Sequence, residues 1–147
     1  MSSRRNGDQD AGRAGRGSLR IFLGAAPGVG KTVAMLTEGR QLRAEGHDVV
    51  VGFVETHGRP ETAARIGDLE VIPRARIPYR GVTIEDMDTD AILARQPEIA
   101  LVDELAHTNA PGSARAKRYD DVHRLRDAGI DVISTLNIQH LDSLQDV

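Results

Sequence analysis

Leu19-Arg20-Ile21-Phe22-Leu23-Gly24-Ala25-Ala26-Pro27-Gly28-Val29-Gly30-Lys31-Thr32 passes from a short apolar run through a glycine-rich turn into a segment of helical character. Its last eight residues, Ala25 to Thr32, match the phosphate-loop pattern G-x-x-x-x-G-K-[ST] with alanine in the first place. The spacing has a physical reason. Gly28 and Gly30 let the backbone curl so that successive N–H groups point inward at phosphate oxygens. A helix beginning near Gly30 turns its positive end to the same anion. Lys31 is placed to reach β- and γ-phosphates, and the Thr32 hydroxyl to ligate Mg²⁺. Ala25, Ala26, Pro27, Gly28, Val29, Gly30, Lys31 and Thr32 are therefore the candidate nucleotide-binding residues. The alternative, a glycine turn without a ligand, leaves the lysine unexplained. Of 19 lysines and arginines only Lys31 and Lys117 are lysines, so a compact ammonium is favoured where the chain otherwise uses arginine.

Downstream, Ile99-Ala100-Leu101-Val102-Asp103-Glu104 sets four apolar residues before two carboxylates, the Walker B form. A buried strand ending in acids is common by itself; after a phosphate loop it is informative. Asp103, at the tip of a central strand, is expected to hold Mg²⁺ through water, which makes Thr32 and Asp103 the metal residues. Glu104 is placed to orient or deprotonate an attacking water and is the candidate catalytic residue. Its alternative is a polar strand-end residue that senses nucleotide without catalysis. Asn137, just past a strand ending at Leu136, is a candidate contact to the γ-phosphate, with a plain helix cap as the competing reading.

Glu55-Thr56-His57-Gly58-Arg59-Pro60 falls at the exit of the second strand, on the edge where α/β sheets bind ligands. The polar stretch from Leu105 to Arg118 is expected to be a loop, and long loops in this place are often nucleotide-responsive. His107, Thr108, Asn109, Arg115, Lys117 and Arg118 are its candidate contacts to phosphate or a partner; a mobile solvated loop is the alternative. The guanine-specificity motif (Asn or Thr, Lys, any residue, Asp) is absent, because Lys117 is followed by Arg118 and Tyr119. That leaves ATP with Mg²⁺ as the expected cofactor pair.

The remaining pattern alternates. Thr32 to Glu45 reads as a helix with a stripe at Met35, Gly39, Leu42 and Gly46, and Val49 to Val54 as a strand buried on both faces. Pro60 opens a short helix at its first position. Glu70 to Ile72 is a short strand, Pro73 and Pro78 interrupt the next stretch, and Ile84 to Arg95 reads as helical. Ile99 to Val102 is a strand, Tyr119 to Ala128 a helix, Ile130 to Leu136 a strand, and Ile138 to Val147 a last helix. Leu42 to Val50 and Leu125 to Ile133 share one form, a helix ending at a glycine with a strand beginning almost at once. The fold expected is α/β, a P-loop NTPase-like three-layer fold with a mainly parallel sheet. Residues 1–18 lack any large apolar residue after Met1 and read as a disordered leader before a nucleotide-binding domain over 19–147. The final helix stops without a cap, so the chain is expected to be cut from something longer.

Composition removes other classes. With no cysteine, disulfides, zinc–thiolate sites and thiol catalysis are out. Four aromatics and a net charge of −3 offer little to a nucleic acid, so no nucleic-acid partner is expected. The apolar runs are far too short for membrane insertion, which makes the chain as given soluble and cytoplasmic by default.

The run from Leu19 to Thr32 resembles the start of the N-terminal domain of KdpD-type osmosensitive potassium sensor histidine kinases. Val54-Glu55-Thr56-His57-Gly58-Arg59-Pro60-Glu61-Thr62, Asp103-Glu104-Leu105-Ala106-His107-Thr108-Asn109-Ala110-Pro111-Gly112 and Thr135-Leu136-Asn137-Ile138-Gln139-His140-Leu141 are similar to the same family. The resemblance covers Leu19 to Val147. It implies a cytoplasmic ATP-binding input domain of a two-component sensor that controls potassium uptake under potassium limitation or osmotic stress. In that family the domain precedes a universal-stress-like domain, a membrane segment, and phosphoacceptor and kinase modules. The implied partners are ATP and the other domains of a longer sensor kinase, with a cognate response regulator reached only through the full-length protein. That full-length protein lies in the plasma membrane, with this domain on the cytoplasmic side. None of the later modules is present here, so histidine-kinase activity is not expected of this chain. Two readings compete: a stand-alone P-loop ATPase or small-molecule kinase, which needs an acceptor site and a lid, and an assembly module with a vestigial loop.

Overall fold

Val49 to Val51 and Ile99 to Val102 carry aliphatic side chains without a polar interruption, a composition that needs cover on both faces of a sheet. A computed structural model, which describes residues 15–24, 29–56, 58–113 and 115–137, has that cover. The elements in chain order are β1 (Leu19–Gly24), α1 (Val29–Ala44), β2 (Val49–Phe53), α2 (Pro60–Ala64), β3 (Glu70–Val71), β4 (Ala75–Tyr79), β5 (Val82–Asp86), α3 (Thr89–Arg95), β6 (Ile99–Val102), α4 (Arg118–Asp127) and β7 (Asp131–Asn137). Five of the strands form one parallel sheet in the order β1-β7-β6-β2-β3.

Alternation along the strands splits the core in two. Val49, Val51, Ile99, Leu101 and Ile133 pack with Met35 and Leu36 of α1. Val50, Ala100, Val102 and Val132 pack with Ile92 of α3 and with Val122 and Leu125 of α4. Helices on both faces of a parallel sheet give the three-layer, P-loop-like α/β fold that the sequence led us to expect. Helix α1 comes so close to the sheet that a Cβ built on Gly39 would lie 2.4 Å from Leu101 Cδ1. A larger residue there would lift the helix off β6.

The repeated helix-to-strand form is a shared backbone cap. Gly46 and Gly129 take φ of 102° and 90°. His47 N–H donates to Leu42 O, and Ile130 N–H to Leu125 O, each at 3.1 Å. This is the six-to-one bond of the Schellman motif in both places.

Two stretches depart from expectation. Residues 84–95 are not one helix: Ile84 to Asp86 belong to β5, and α3 begins only at Thr89, where the Asp88 carboxylate accepts the Ala91 N–H at 3.0 Å. Strand β5 pairs antiparallel with β4 in a hairpin in which Ile77 faces Ile84 and Pro78 faces Thr83. Proline survives because a two-stranded hairpin has only edges. The link is Arg80-Gly81, both at positive φ (52° and 82°), as a tight two-residue turn demands. Arginine in the first of those places hides the turn from a pattern reading.

The second departure is at the amino end. Gly17 is buried; its N–H donates to Arg126 O at 2.8 Å and its carbonyl accepts from Arg126 Nε at 3.0 Å. Ser18 N–H donates to Asp131 Oδ1 at 2.9 Å. The disordered-leader expectation therefore fails for Gly17 and Ser18; residues 1–14 lie outside the described residues, as does the expected helix from Ile138 to Val147. Among the described residues, no helix is long and apolar enough to cross a membrane.

Candidate functional site

Parallel strands bring their carboxyl ends to one edge, and the order β1-β7-β6 sets β7 between the strand that leads to the candidate phosphate loop and the strand that leads to Asp103. Asp103 is 1% exposed, yet both of its oxygens are occupied. Oδ2 accepts the Thr32 hydroxyl at 2.9 Å and the Glu55 N–H at 3.1 Å. Oδ1 accepts the Thr135 hydroxyl at 2.5 Å. Thr32 and Asp103, 71 residues apart in sequence, thus meet at the start of α1. Because Thr32 gives its proton to the carboxylate, the lone pairs of its Oγ1 remain available to a hard cation. The donor set fits Mg²⁺: a buried carboxylate and a hydroxyl, all oxygen.

Lys31 lies across the end of β1. A Cβ built on Gly24 would come within 2.7 Å of Lys31 Cδ and 3.1 Å of Nζ, so only glycine leaves the ammonium this path. Gly24 pairs in register with Asn137 at the end of β7. Asn137 Oδ1 is buried and has no hydrogen-bond partner among the described residues. An orphaned buried acceptor at this edge can be satisfied by a bound water or a cation, whereas a phosphate oxygen needs the amide N–H instead. Glu104 follows Asp103 with φ of 57°, a left-handed conformation that costs a non-glycine residue about 1–2 kcal/mol and tends to occur at functional sites. Lys31, Thr32, Asp103, Glu104 and Asn137 therefore share one edge, with Val29 and Gly30 in the first turn of α1. Ala25, Ala26, Pro27 and Gly28, the rest of the loop expected from the sequence, lie outside the described residues.

The stretch from Leu105 to Arg118 is a loop up to the start of α4, as expected, and its described residues are held in place, against the mobile solvated alternative. Thr108 and Lys117 form a bridge, Asn109 N–H donates to Ala116 O at 2.8 Å, and Arg118 N–H donates to His107 O at 3.1 Å. Asn109 Nδ2 and Arg115 both hold Asp121 of α4, at 2.7 and 3.3 Å. Leu105 is buried in the core. Nor does Arg118 face a ligand. It is 0% exposed, and donates to the Asp103 carbonyl at 2.9 Å and to Asp86 Oδ1 at 2.6 Å. Its guanidinium lies 3.9 Å from the Phe53 ring centroid.

Phe53 is there because the register of β2 on β6 slips between Val51 and Phe53, which turns the ring onto the α3 and α4 face. His107 completes the cluster, with Nε2 at 3.0 Å from Asp86 Oδ2. Burial pushes the Asp86 carboxyl up, but the Met87 N–H, the His107 hydrogen bond and the charges of Arg118 and His107 outweigh it, holding the pKa below the usual carboxylate value. Burial also pulls the Arg118 guanidinium down, against Asp86, Glu104 and Asp103. A guanidinium starts so far above neutrality that it stays charged.

Thr135, Asp86 and the Arg118 contacts were missed by sequence reasoning. Thr135 left a signal: two hydroxyls, Ser134 and Thr135, inside a core strand must find partners. Asp86 left none once its segment was read as a helix.

The fold and this edge define an α/β domain of P-loop-like architecture. The chain matches the family described as KdpD, osmosensitive K+ channel His kinase sensor domain, over residues 15–147, and it belongs to that family. It is 59% identical over 132 residues to a KdpD-named sensor protein of Synechocystis sp., covering 90% of this chain and 36% of the relative. It is 58% identical to sensor protein KdpD of Escherichia coli and 56% identical to that of Mycobacterium tuberculosis, each over 90% of this chain. The chain spans only 15% of each of those two proteins.

Proposed function

We propose that this chain is the ATP-binding regulatory domain of a sensor histidine kinase, holding Mg-ATP on the loop Ala25 to Thr32 with Thr32 and Asp103 at the cation. The observation that carries this reading is the Thr32 hydroxyl on the Asp103 carboxylate at 2.9 Å, bridging 71 residues at the carboxyl edge of a parallel sheet. Lys31, laid over Gly24, supplies the charge for the β- and γ-phosphates; Asn137 lies at the same edge and would meet a phosphate oxygen through its amide N–H, its orphaned oxygen accepting only from a donor such as water. Bound Mg²⁺ would neutralise phosphate charge. Glu104 holds a water or its proton. Hydrolysis is slow, because fast turnover needs a cation on the transferring phosphoryl group, and of the loop's candidates Arg115, Lys117 and Arg118 the two arginines are committed to Asp121 and Asp86.

The domain works with the other domains of a longer sensor kinase, on the cytoplasmic side of a membrane-anchored protein. It governs potassium uptake in response to potassium limitation or osmotic stress, through a cognate response regulator. The family's description and the sensor names of the relatives support the sensor-kinase part of this context. Calorimetric titration with Mg-ATP tests the site: Lys31→Ala is expected to lose about 2–3 kcal/mol of binding through a charge-assisted contact while melting like wild type. Unchanged affinity sinks the assignment. Incubation with γ-labelled ATP is expected to leave no label on the protein and to release phosphate slowly, a release that Glu104→Gln abolishes.

A further inference from the structure

β7 is a core strand, and a hydroxyl on it has to find partners. Thr135 finds two, both in the acidic pair. Its Oγ1 donates to Asp103 Oδ1 at 2.5 Å and accepts the Glu104 N–H at 2.9 Å. One proton and two lone pairs allow both bonds at once. The Thr135 carbonyl accepts the Leu105 N–H at 2.9 Å, so a single residue brackets Glu104 where its backbone turns left-handed. With Oδ1 taken by Thr135, Oδ2 is the oxygen left to Thr32 and the Glu55 N–H. The neighbouring Ser134 spends its hydroxyl on the Val102 carbonyl and plays no part at the carboxylate.

We infer that Thr135 is a positioning residue of the Mg²⁺–nucleotide site: its hydroxyl selects which Asp103 oxygen faces Thr32 and holds Glu104 in its turn. The inference rests on the nucleotide reading above. Thr135 Oγ1 spends its proton on Asp103 and accepts from Glu104, so it acts through those two residues, as partners of metal-binding groups do.

The test is calorimetric titration of the full chain with ATP, once in excess Mg²⁺ and once in EDTA. Thr135→Val keeps the shape and deletes the hydroxyl; Thr135→Ser keeps the hydroxyl. Wild type is expected to bind more tightly with Mg²⁺. The Val variant is expected to lose about tenfold or more of that enhancement, with its affinity in EDTA within about twofold of wild type. The Ser variant is expected to recover the enhancement to within about threefold. An unchanged enhancement in the Val variant, or an equal loss in Mg²⁺ and EDTA, would make Thr135 an ordinary core hydroxyl and overturn the inference. Should the Val variant fail to melt cooperatively, hydrogen exchange on wild type decides. The Glu104 amide is expected to slow by about tenfold with Mg-ATP and not with ATP in EDTA; no slowing with Mg-ATP overturns the inference. Wild type that binds ATP under neither condition refutes the nucleotide reading itself, and this inference with it.

Discussion

Replacing Arg118 by methionine keeps much of the side chain's length and removes its charge. Asp86 loses its 2.6 Å partner in a site where the arginine is wholly buried, and the Asp103 carbonyl loses a 2.9 Å donor. Removing one member of a buried pair costs about 3–5 kcal/mol, because the other charge is left uncompensated. Two features pull toward the lower end. Asp86 keeps the Met87 N–H at 2.8 Å, the Ala110 N–H at 3.3 Å and His107 at 3.0 Å. Methionine sulfur also restores part of the contact with Phe53, at about 0.3–1.5 kcal/mol. The expected loss is about 3 kcal/mol, and at about 2–4 °C per kcal/mol for a chain of this size the melting point falls by about 6–12 °C. Urea titration at neutral pH measures it. Asp86→Ala is expected to cost a similar amount, and the double variant less than the sum by about 2 kcal/mol or more. A loss under about 1 kcal/mol for Arg118→Met, or strict additivity, would refute the view that this pair ties the hairpin to the acidic strand.

Gly39→Ala places a methyl 2.4 Å from Leu101 Cδ1, so overpacking is expected to cost about 1–3 kcal/mol in urea titration; a neutral result would mean that α1 shifts freely. A chain begun at Leu19 lacks the Gly17 bonds to Arg126 and the Ser18 bond to Asp131. It is expected to melt several degrees below one begun at Gly15, and equal melting would mean that this docking contributes nothing. Asp86 predicts acid sensitivity. Its folded pKa lies below the unfolded value, so its contribution is whole above about pH 4 and is lost as pH falls from there through the folded value. Urea midpoints taken between about pH 6 and 3 should fall more steeply for wild type than for Asp86→Asn, and parallel curves would contradict the assignment.

The candidate site was legible in the sequence to the extent that its motifs are local. Spacing marked Lys31, Thr32, Asp103 and Glu104, its place just past a strand marked Asn137, and the glycine-capped helix ends at Gly46 and Gly129 marked two crossovers of a parallel sheet. The hairpin was not legible, since Pro78 and the Arg80-Gly81 turn carry weak signals and only pairing reveals the strands. Phe53 was read as one more residue of a buried strand; a register slip against β6 decided which face it serves. Arg118 was read as a loop cation, and Phe53, Asp86 and the Asp103 carbonyl made it a core residue. Contacts between strands likewise made Thr135 the partner of the acidic pair. The sequence by itself marked the residue types of a candidate phosphate site, because each motif, Ala25 to Thr32 and Ile99 to Glu104, is local along the backbone. The tertiary structure alone decided which oxygen of Asp103 meets Thr32 and which cation is buried, because those contacts join strands and loops far apart in the chain. Their energies depend on burial, which no local pattern encodes.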